Sequence, residues 1–258
     1  MRNIPFSIII PWKFGSVQRY KSLRHMVDCL IKQDTETKAM PIRYEILLVE
    51  QNTNSITPEL CLPYRHILLN TEHEAFNKSW CMNVGARNAK YNDLLFMDAD
   101  SLFGSDFLKT VRHYVNITST SRNNIMFCWN YLIALYGKDN PVSRHIRPDM
   151  TRAMGGIWYC DKNFYFNKLG GMNENYFGYG GEDNDVFERA LFLLEHTPSV
   201  IPYPLAHQYH DWEKQADRAI NYFEITRANP DKVIQRLITA GIGKIEDVTL
   251  IDMEDLLI

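Results

Sequence analysis

The sequence lacks long hydrophobic runs. None of its 258 residues form an apolar stretch near the roughly 20 residues that a membrane-spanning helix needs. The first apolar run, residues 6–11, is also too short for the core of a secretory signal peptide and is typical of a buried strand. We therefore expect a cytoplasmic protein, or one peripheral to the inner face of a membrane.

Excess basic charge and paired cysteines are also missing. The formal net charge is −3, which argues against nucleic acid as a partner. The five cysteines include no CxxC pair, so we expect reduced thiols and neither a disulfide framework nor a zinc site. There is no internal repeat and no low-complexity segment, and the chain is long enough for one sizeable α/β domain.

What the first half does contain is a regular alternation of patterns. Short apolar runs indicate strands, and apolar residues at helical spacing indicate helices between them. The predicted strands are 6–10, 45–49, 66–69 and 93–97, and the predicted helices are 17–31 and 77–89. This alternation predicts an α/β fold with a Rossmann-like, mostly parallel sheet flanked by helices.

The second half is less regular. We expect a long loop or lid over 131–151, a strand at 156–160, a short helix ending at Gly170–Gly171, and a helix that starts near Glu182. Beyond Asp211 the pattern is helical to the end, interrupted near Asn229–Pro230 and at Gly241–Gly243. We therefore predict a main domain over residues 1–215 and a helical extension over 216–258, packed on the same domain.

Polar side chains follow several predicted strands. Ligands of parallel sheets bind at the carboxyl ends of the strands. The candidates at this edge are Pro11, Lys13, Glu50, Gln51, Asp98 and Asp100. Carboxylates one residue apart at a strand end suit Mg²⁺ or Mn²⁺ bridging a diphosphate.

The Asp98–Asp100 pattern has simpler explanations as well. It could be an acidic turn or the cap of the following helix, and an isolated pair of this kind is weak evidence. A calcium-binding EF-hand loop also begins in this way, but Leu102 and Phe103 occupy the positions that need a ligand and a glycine.

A glycine-rich segment precedes an acidic cluster. Glycines before Glu182, Asp183 and Asp185 allow the backbone to approach a ligand closely. The faces of Phe177 and Tyr179 suit stacking on a sugar ring, and a carboxylate can accept the proton of a sugar hydroxyl. The alternative is a surface loop with an acidic helix start, where the macrodipole favours anions.

Two histidines, His207 and His210, lie three residues apart after a proline-rich strand end. Imidazole is a common ligand of divalent metals, so both are candidate metal ligands. Two ordinary surface histidines are the alternative.

Several ordered motifs together resemble the β-1,4-galactosyltransferases and related bacterial chain-extending glycosyltransferases. Residues 76–85 resemble the family's FNRAxLxNVG segment, and residues 95–100 resemble its metal motif. Residues 170–185 resemble its GFPNxYWGWGGEDDD segment, and the region around His210 resembles its late metal-binding histidine. Less faithfully, Pro11 and Lys13 with Arg19 resemble its nucleotide motif.

This resemblance implies the GT-A fold and inverting transfer from a UDP-sugar, galactose or N-acetylgalactosamine favoured, to a carbohydrate acceptor. Asp100 and His210 would hold Mn²⁺ (or Mg²⁺), with His207 as a further ligand. Asp183 would be the catalytic base. The remaining implied residues form two groups: Glu182, Asp185, Phe177 and Tyr179 on the acceptor side, and Phe76, Lys78, Asn83, Arg87 and Asp98 on the nucleotide side.

The sequence departs from the family in ways that bear on the acceptor. The two tryptophans of the family's loop are Phe177 and Tyr179 here, and Asn184 replaces an acid. Two other classes share some of the features. A nucleotidyltransferase would share the sheet and the acids, but it usually carries a Gly-rich basic loop that residues 11–15 do not resemble. A non-catalytic sugar-binding module would explain the aromatics, but not a base beside a metal site.

Overall fold

The structure is a computed structural model. It describes residues 4–36, 41–55, 64–118, 125–128, 131–136, 142–146, 155–178, 180–194, 197–208, 219–253 and 256. Within these residues, no helix is long and apolar enough to cross a membrane.

A seven-stranded mixed sheet forms the centre of the fold. Its strands in chain order are β1 (Phe6–Trp12), β2 (Tyr44–Asn52), β3 (Arg65–Asn70), β4 (Asp93–Met97), β6 (Ile125–Phe127), β9 (Ile157–Asp161) and β10 (Ser199–Val200). They lie in the order β10-β6-β9-β4-β1-β2-β3. The four strands from β4 to β3 are mutually parallel, whereas β9 runs antiparallel to both β4 and β6. The predicted mostly parallel sheet is confirmed.

Helices connect these strands. They are α1 (Val17–Glu36), α2 (Lys78–Asn88), α3 (Phe107–Thr118), α4 (Lys162–Asn167) and α5 (Glu182–Leu194). Every residue of β1 is buried, as expected for a central strand with helices on both faces. Crossover helices of this kind bring the carboxyl ends of the parallel strands to one edge.

A second, four-stranded sheet contains β5 (Ser101–Leu102), β7 (Tyr131–Tyr136), β8 (Val142–Ile146) and β11 (Pro204–His207), in the order β5-β11-β7-β8. The prediction of a long loop over 131–151 is therefore wrong for the strands β7 and β8, which pair antiparallel. These strands gain their hydrogen bonds from each other and from β11, a pairing that local sequence does not reveal.

Helices α6 (Ala219–Ala228) and α7 (Pro230–Ala240) follow. They pack on α5 and on each other, and their apolar residues form a small core that includes Val233 and Leu237. We call residues 241–253 the C-terminal segment. The predicted interruption at Gly241–Gly243 is confirmed, but the helical pattern predicted beyond it is wrong for residues 244–253. Gly241 ends α7 in the left-handed conformation at φ 68°, a common helix stop.

Helix α2 lies very close to the sheet at Gly85. A Cβ added to this glycine would lie 2.4 Å from Ile9 Cγ2 on β1 and 3.2 Å from Val49 Cγ2 on β2. The absence of a side chain at Gly85 therefore sets how near α2 can approach β1. This matters for function because α2 begins at Lys78, at the ligand-binding edge of the sheet.

We predict that Gly85→Ala destabilises the protein. Alanine favours a helix by about 1 kcal/mol over glycine, but overpacking a core typically costs about 1–3 kcal/mol. With a contact as short as 2.4 Å, we expect the packing cost to prevail, and urea denaturation measures it. Asn88→Ala, in the last turn of the same helix, is the control and should change stability little. Unchanged or increased stability of Gly85→Ala would contradict the close packing.

Candidate active site

Three elements meet at the carboxyl edge of the sheet. Asp98 follows β4, Lys78 opens α2, and Glu182 opens α5. The first turn of α2 is fixed by its N-cap Asn77, whose Oδ1 accepts the N–H of Trp80 at 2.9 Å. Glu182, Asp183 and Asp185 occupy the first turn of α5, where the helix dipole stabilises carboxylates.

The ammonium group of Lys78 lies among three carboxylates. Its Nζ is 3.0 Å from Asp98 Oδ1, 3.1 Å from Asp183 Oδ2 and 3.6 Å from Glu182 Oε1. The Lys78 side chain is only 12% exposed, so water screens these contacts weakly. The structure thus brings the predicted base, Asp183, and the strand-end carboxylate of Asp98 to one cation.

Burial and the neighbouring charges shift the pKa values of the groups in this cluster. Burial raises the pKa of Asp98 to about 6, and Lys78 opposes that rise. Burial, followed by the charge of Asp183, raises the pKa of Glu182 to about 7. Burial by itself would lower the pKa of Lys78, but the charges of Asp183, Asp98 and Glu182 hold it well above its usual value. One cation serves three carboxyl groups, which favours the protonated form of Glu182.

One carboxylate oxygen of Glu182 could accept a further hydrogen bond. Its Oε2 is buried and makes no hydrogen bond to the residues that the structure describes. A buried polar atom of this kind normally has a partner. A ligand hydroxyl beside the cluster would supply that partner, which fits the predicted position of Glu182 on the acceptor side.

Two adjacent glycines before β9 close the cluster on another side. The N–H of Gly156 donates to Asp98 Oδ2 at 3.1 Å. A Cβ on Gly155 would lie 2.5 Å from Asp183 Oδ2, so the side chain of Asp183 needs glycine at this position. Neither role was predicted, although the Gly155–Gly156 pair at the start of the strand predicted over 156–160 was a usable signal.

Asp100 directly precedes β5, and His207 is the last residue of β11. The two side chains lie close together. Asp100 Oδ1 lies 3.6 Å from His207 Nε2. The main-chain N–H of Gln208 donates to the Asp100 carbonyl at 2.9 Å and holds the two segments in place. His210 lies outside the described residues.

The donor atoms of this pair suit a divalent ion. An oxygen and an imidazole nitrogen are ligands that Mn²⁺ accepts readily, and a diphosphate would add further oxygens. Among the described residues, no group of three or more His, Cys, Asp or Glu side chains is arranged to hold a metal. Asp100 and His207 therefore fit as a partial site.

Other residues predicted on the nucleotide side form hydrogen bonds at the carboxyl edge of the sheet. Gln51 is buried, donates to Ala75 O at 3.0 Å, and accepts the N–H of Asn77 at 2.6 Å through Oε1. Lys13 Nζ donates to the carbonyls of His73 and Glu74. These bonds place the loop that carries Phe76 directly before α2.

Glu50 is engaged in a second network. It is fully buried and lies 2.9 Å from His66 Nε2, and it accepts the hydroxyl of Ser55 at 3.0 Å. Pro11 is buried in β1 beside Val49, and the main-chain N–H of Arg19 donates to Ser16 Oγ in the first turn of α1.

Asn83 is hydrogen-bonded within the protein. It is fully buried, and its amide nitrogen donates to Met172 O and Glu174 Oε1, both at 2.8 Å. Its Oδ1 accepts the hydroxyl of Tyr165 and the N–H of Met172. The polar atoms of Asn83 are thus used within the protein, and its contact with a nucleotide stays a prediction.

Asp185, which was predicted on the acceptor side, is paired within the protein. It is fully buried and lies 2.5 Å from Arg189 NH2, while its Oδ1 accepts the hydroxyl of Thr226 at 2.5 Å. It joins α5 to α6. Removing one partner of such a buried pair typically costs about 3–5 kcal/mol.

Arg87 lies at the opposite end of α2 from Lys78. Nine residues of helix separate it from Lys78, which corresponds to about 14 Å. Its guanidinium stacks on Phe166 at 4.7 Å and its Nε donates to Ile242 O. Arg87 therefore lies on the predicted helix but away from Lys78, and its contact with a nucleotide stays a prediction.

The acceptor-side aromatics lie on the segment before α5. Phe177 packs edge-on against His73, with ring centroids 5.6 Å apart. The N–H of Gly178 donates to Phe76 O at 2.8 Å, which joins this segment to the start of α2. Tyr179 lies outside the described residues.

Two family models match parts of the sequence. Residues 7–118 match the model of glycosyl transferase family 2, and residues 142–199 match the model described as the N-terminal domain of galactosyltransferase. A search of curated proteins finds no significant match.

Solved structures of S. aureus TarS share the fold at low identity, and a galactosyltransferase structure matches more weakly. S. aureus TarS in complex with UDP has a TM-score of 0.57 at 13% identity, covering 91% of this chain and 70% of that one. TarS in complex with UDP-GlcNAc has a TM-score of 0.54 at 14% identity, covering 92% and 72%. The catalytic domain of Drosophila β1,4-galactosyltransferase 7 has a TM-score of 0.47 at 18% identity, covering 81% and 67%.

The fold and the two family matches define the class: the protein is a glycosyltransferase with the GT-A fold. The predicted resemblance to the galactosyltransferases and the family 2 glycosyltransferases is confirmed by these matches.

We predict that Glu182→Gln stabilises the protein more at pH 8 than at pH 5. The folded-state pKa of Glu182 is raised from 4.5 to about 7, so the folded state loses stability as pH rises through that window. Glutamine removes this loss, a difference of roughly 1–3 kcal/mol between the two pH values. Urea denaturation at both pH values measures it. Glu224→Gln, an exposed carboxylate on α6, controls for the loss of one acid. Equal effects of Glu182→Gln at both pH values would contradict the assignment.

Proposed function

We propose that the protein is an inverting, metal-dependent glycosyltransferase that uses a UDP-sugar. It transfers a hexose or N-acetylhexosamine, galactose or N-acetylgalactosamine favoured, to a hydroxyl of a carbohydrate acceptor. The observation that carries this proposal is the position of Asp183 and Asp98 on the same ammonium group of Lys78. A base on the acceptor side and a carboxylate at the strand end are thereby held within reach of one sugar.

The donor assignment draws on the neighbours as well. The TarS structures contain UDP and UDP-GlcNAc, and they share the fold of this chain. The residues proposed to contact the nucleotide lie at the carboxyl edge: Lys13, Phe76, Lys78 and Asp98. The buried side chains of Glu50 and Gln51 lie beneath them. Pro11 and Arg19 complete the proposed nucleotide side.

In the proposed reaction, Asp183 accepts the proton of an acceptor hydroxyl as that oxygen attacks the anomeric carbon. The bond between the anomeric carbon and the UDP oxygen breaks on the opposite face, so an α-linked donor gives a β-linked product. Glu182 and the aromatic rings of Phe177 and Tyr179 orient the acceptor, which supplies proximity. Lys78 holds Asp183 in place and balances its charge before the acceptor arrives.

A divalent ion, Mn²⁺ or Mg²⁺, would be held by Asp100 and His207, with His210 as a further proposed ligand. When bound, such an ion would act as a Lewis acid that neutralises charge on the departing diphosphate. Asp100 and His207 fit this role by donor chemistry, since they offer the ion one oxygen and one imidazole nitrogen.

We predict that Asp183→Asn abolishes most transfer without unfolding the protein. Asparagine keeps the size of the side chain, but it cannot accept the proton, and the loss of a general base typically costs about 10²- to 10⁴-fold in rate. Transfer from a panel of UDP-sugars (Gal, GalNAc, Glc, GlcNAc) is measured in the presence of Mn²⁺. The melting temperature and the UDP affinity should stay near parental values.

Two results would count against the roles given to Asp183. Near-parental transfer by Asp183→Asn would remove it as the base. An α-linked product, identified by NMR, would overturn the inverting reaction. A parent protein that transfers none of these sugars would contradict the donor assignment itself.

We predict that Asp100→Ala removes the metal dependence of UDP binding. Calorimetry with UDP should show tighter binding by the parent when Mn²⁺ is present, and no such gain for the variant. Asp106→Ala is the control, since Asp106 is a nearby acid that accepts the hydroxyl of Tyr203 and is not placed at the site. If Asp100→Ala kept the parental response to Mn²⁺, the ion would have to bind elsewhere.

A further inference from the structure

The C-terminal segment, residues 241–253, makes direct contacts with the base of the glycine loop. We use the name glycine loop for residues 173–181, which precede α5 and contain Phe177; of these, Tyr179 lies outside the described residues. The contacts centre on Glu174 and Asn175, two residues that no earlier step of the reaction uses.

Glu174 is a buried carboxylate that ties three parts of the chain together. It is fully buried, and Oε1 accepts Asn83 Nδ2 on α2 and the N–H of Gly243, both at 2.8 Å. Oε2 accepts the N–H of Thr249 at 2.6 Å. Two of its three bonds are therefore to main-chain N–H groups of the C-terminal segment. Among substitutions within that segment, only proline would remove such an N–H group.

Asn175 makes a paired contact one residue further on. Its Oδ1 accepts the N–H of Ile251 at 2.9 Å, and its Nδ2 donates to Ile251 O at 2.7 Å. This pair reproduces the two bonds that a residue in a neighbouring strand would make. It fixes both the position and the direction of the chain where the glycine loop begins.

Glu174 and the C-terminal segment also contact the start of α2, next to Lys78. Asn77 Nδ2 donates to the main-chain oxygen of Glu174 at 2.7 Å, and Asn77 caps α2 directly before Lys78. Trp80 Nε1 donates to Lys244 O at 2.6 Å, which ties the segment to the first turn of α2. The C-terminal segment thus contacts both the first turn of α2 and the base of the glycine loop, which lie on either side of the candidate site.

The loop itself needs such support. Gly178, Gly180 and Gly181 have positive φ angles of 81°, 97° and 95°. Glycines in this conformation leave the backbone with little intrinsic preference, so the position of the loop depends on what holds its two ends. Helix α5 holds one end, and the C-terminal segment holds the other.

We propose that the C-terminal segment is a brace that positions the glycine loop for the acceptor, with Glu174 and Asn175 as its positioning residues. This inference rests on the proposed function for its kinetic consequence. It assigns a role in catalysis to residues beyond α7, which otherwise look like a structural appendage.

The test is Asn175→Ala, which removes both bonds to Ile251 and leaves Glu174 in place. We expect the acceptor KM to rise by about three- to tenfold, the change that corresponds to the loss of one or two hydrogen bonds. The UDP affinity should stay within about twofold, because the bond between Asn77 and Glu174 is retained. Glu174→Gln, which turns an acceptor into a donor facing a main-chain N–H, should change the acceptor KM in the same direction.

Hydrogen exchange separates positioning from general stability. The N–H of Gly178 donates to Phe76 O in the parent. In Asn175→Ala its exchange should become at least about threefold faster, while the amides of β1 and β4 keep their parental rates. Tyr203→Phe is the matched control, since it removes one hydrogen bond to Asp106, outside the cluster. It should leave both the exchange of Gly178 and the acceptor KM unchanged.

Two outcomes would overturn the brace: parental exchange at Gly178 in Asn175→Ala, or a UDP affinity that falls in step with the acceptor KM. The exchange measurement needs no substrate. A parent without transfer activity would therefore contradict the proposed function and still leave the brace to be decided by exchange alone.

Discussion

The ion cluster around Lys78 Nζ is the contact on which the site depends. Its three carboxylates come from the end of β4 and the first turn of α5, and the lysine itself opens α2. Without a cation between them, these carboxylates would repel one another across a weakly screened interior. The lysine therefore allows α5 and β4 to meet at the edge where a parallel sheet binds its ligands.

The surroundings of the cluster are arranged to keep that contact in place. Gly155 leaves room for Asp183, and Gly156 donates to Asp98. On the other side, Asn77 fixes the start of α2, and Gln51 fixes Asn77. Each of these bonds uses a buried or half-buried polar group whose loss would leave a partner unsatisfied, so the arrangement has little freedom to vary.

The fold, and the acidic residues that meet at Lys78, were accessible from the sequence for local reasons. Residues 6–10 and 93–97 are apolar runs of strand length, and the glycine-rich approach to Glu182 marks the start of a helix. Strands β7 and β8 were missed because their pairing with each other and with β11 is non-local. The predicted interruption at Gly241–Gly243 agrees with the end of α7 at Gly241, but the residues beyond these glycines were predicted as helical and are not.

By itself, the sequence determined the parallel sheet and the acidic residues that meet at its carboxyl edge, because these follow from periodicity and from residue type. Only the tertiary structure decided which motif residues face the site. Asn83 and Asp185 belong to the same motifs as Lys78 and Asp183, but they are fully buried and use their polar atoms within the protein. The physical reason is that a helix turns 100° per residue, so neighbours in a motif point to different surroundings, and only the packed neighbours show which side chain meets solvent and ligand.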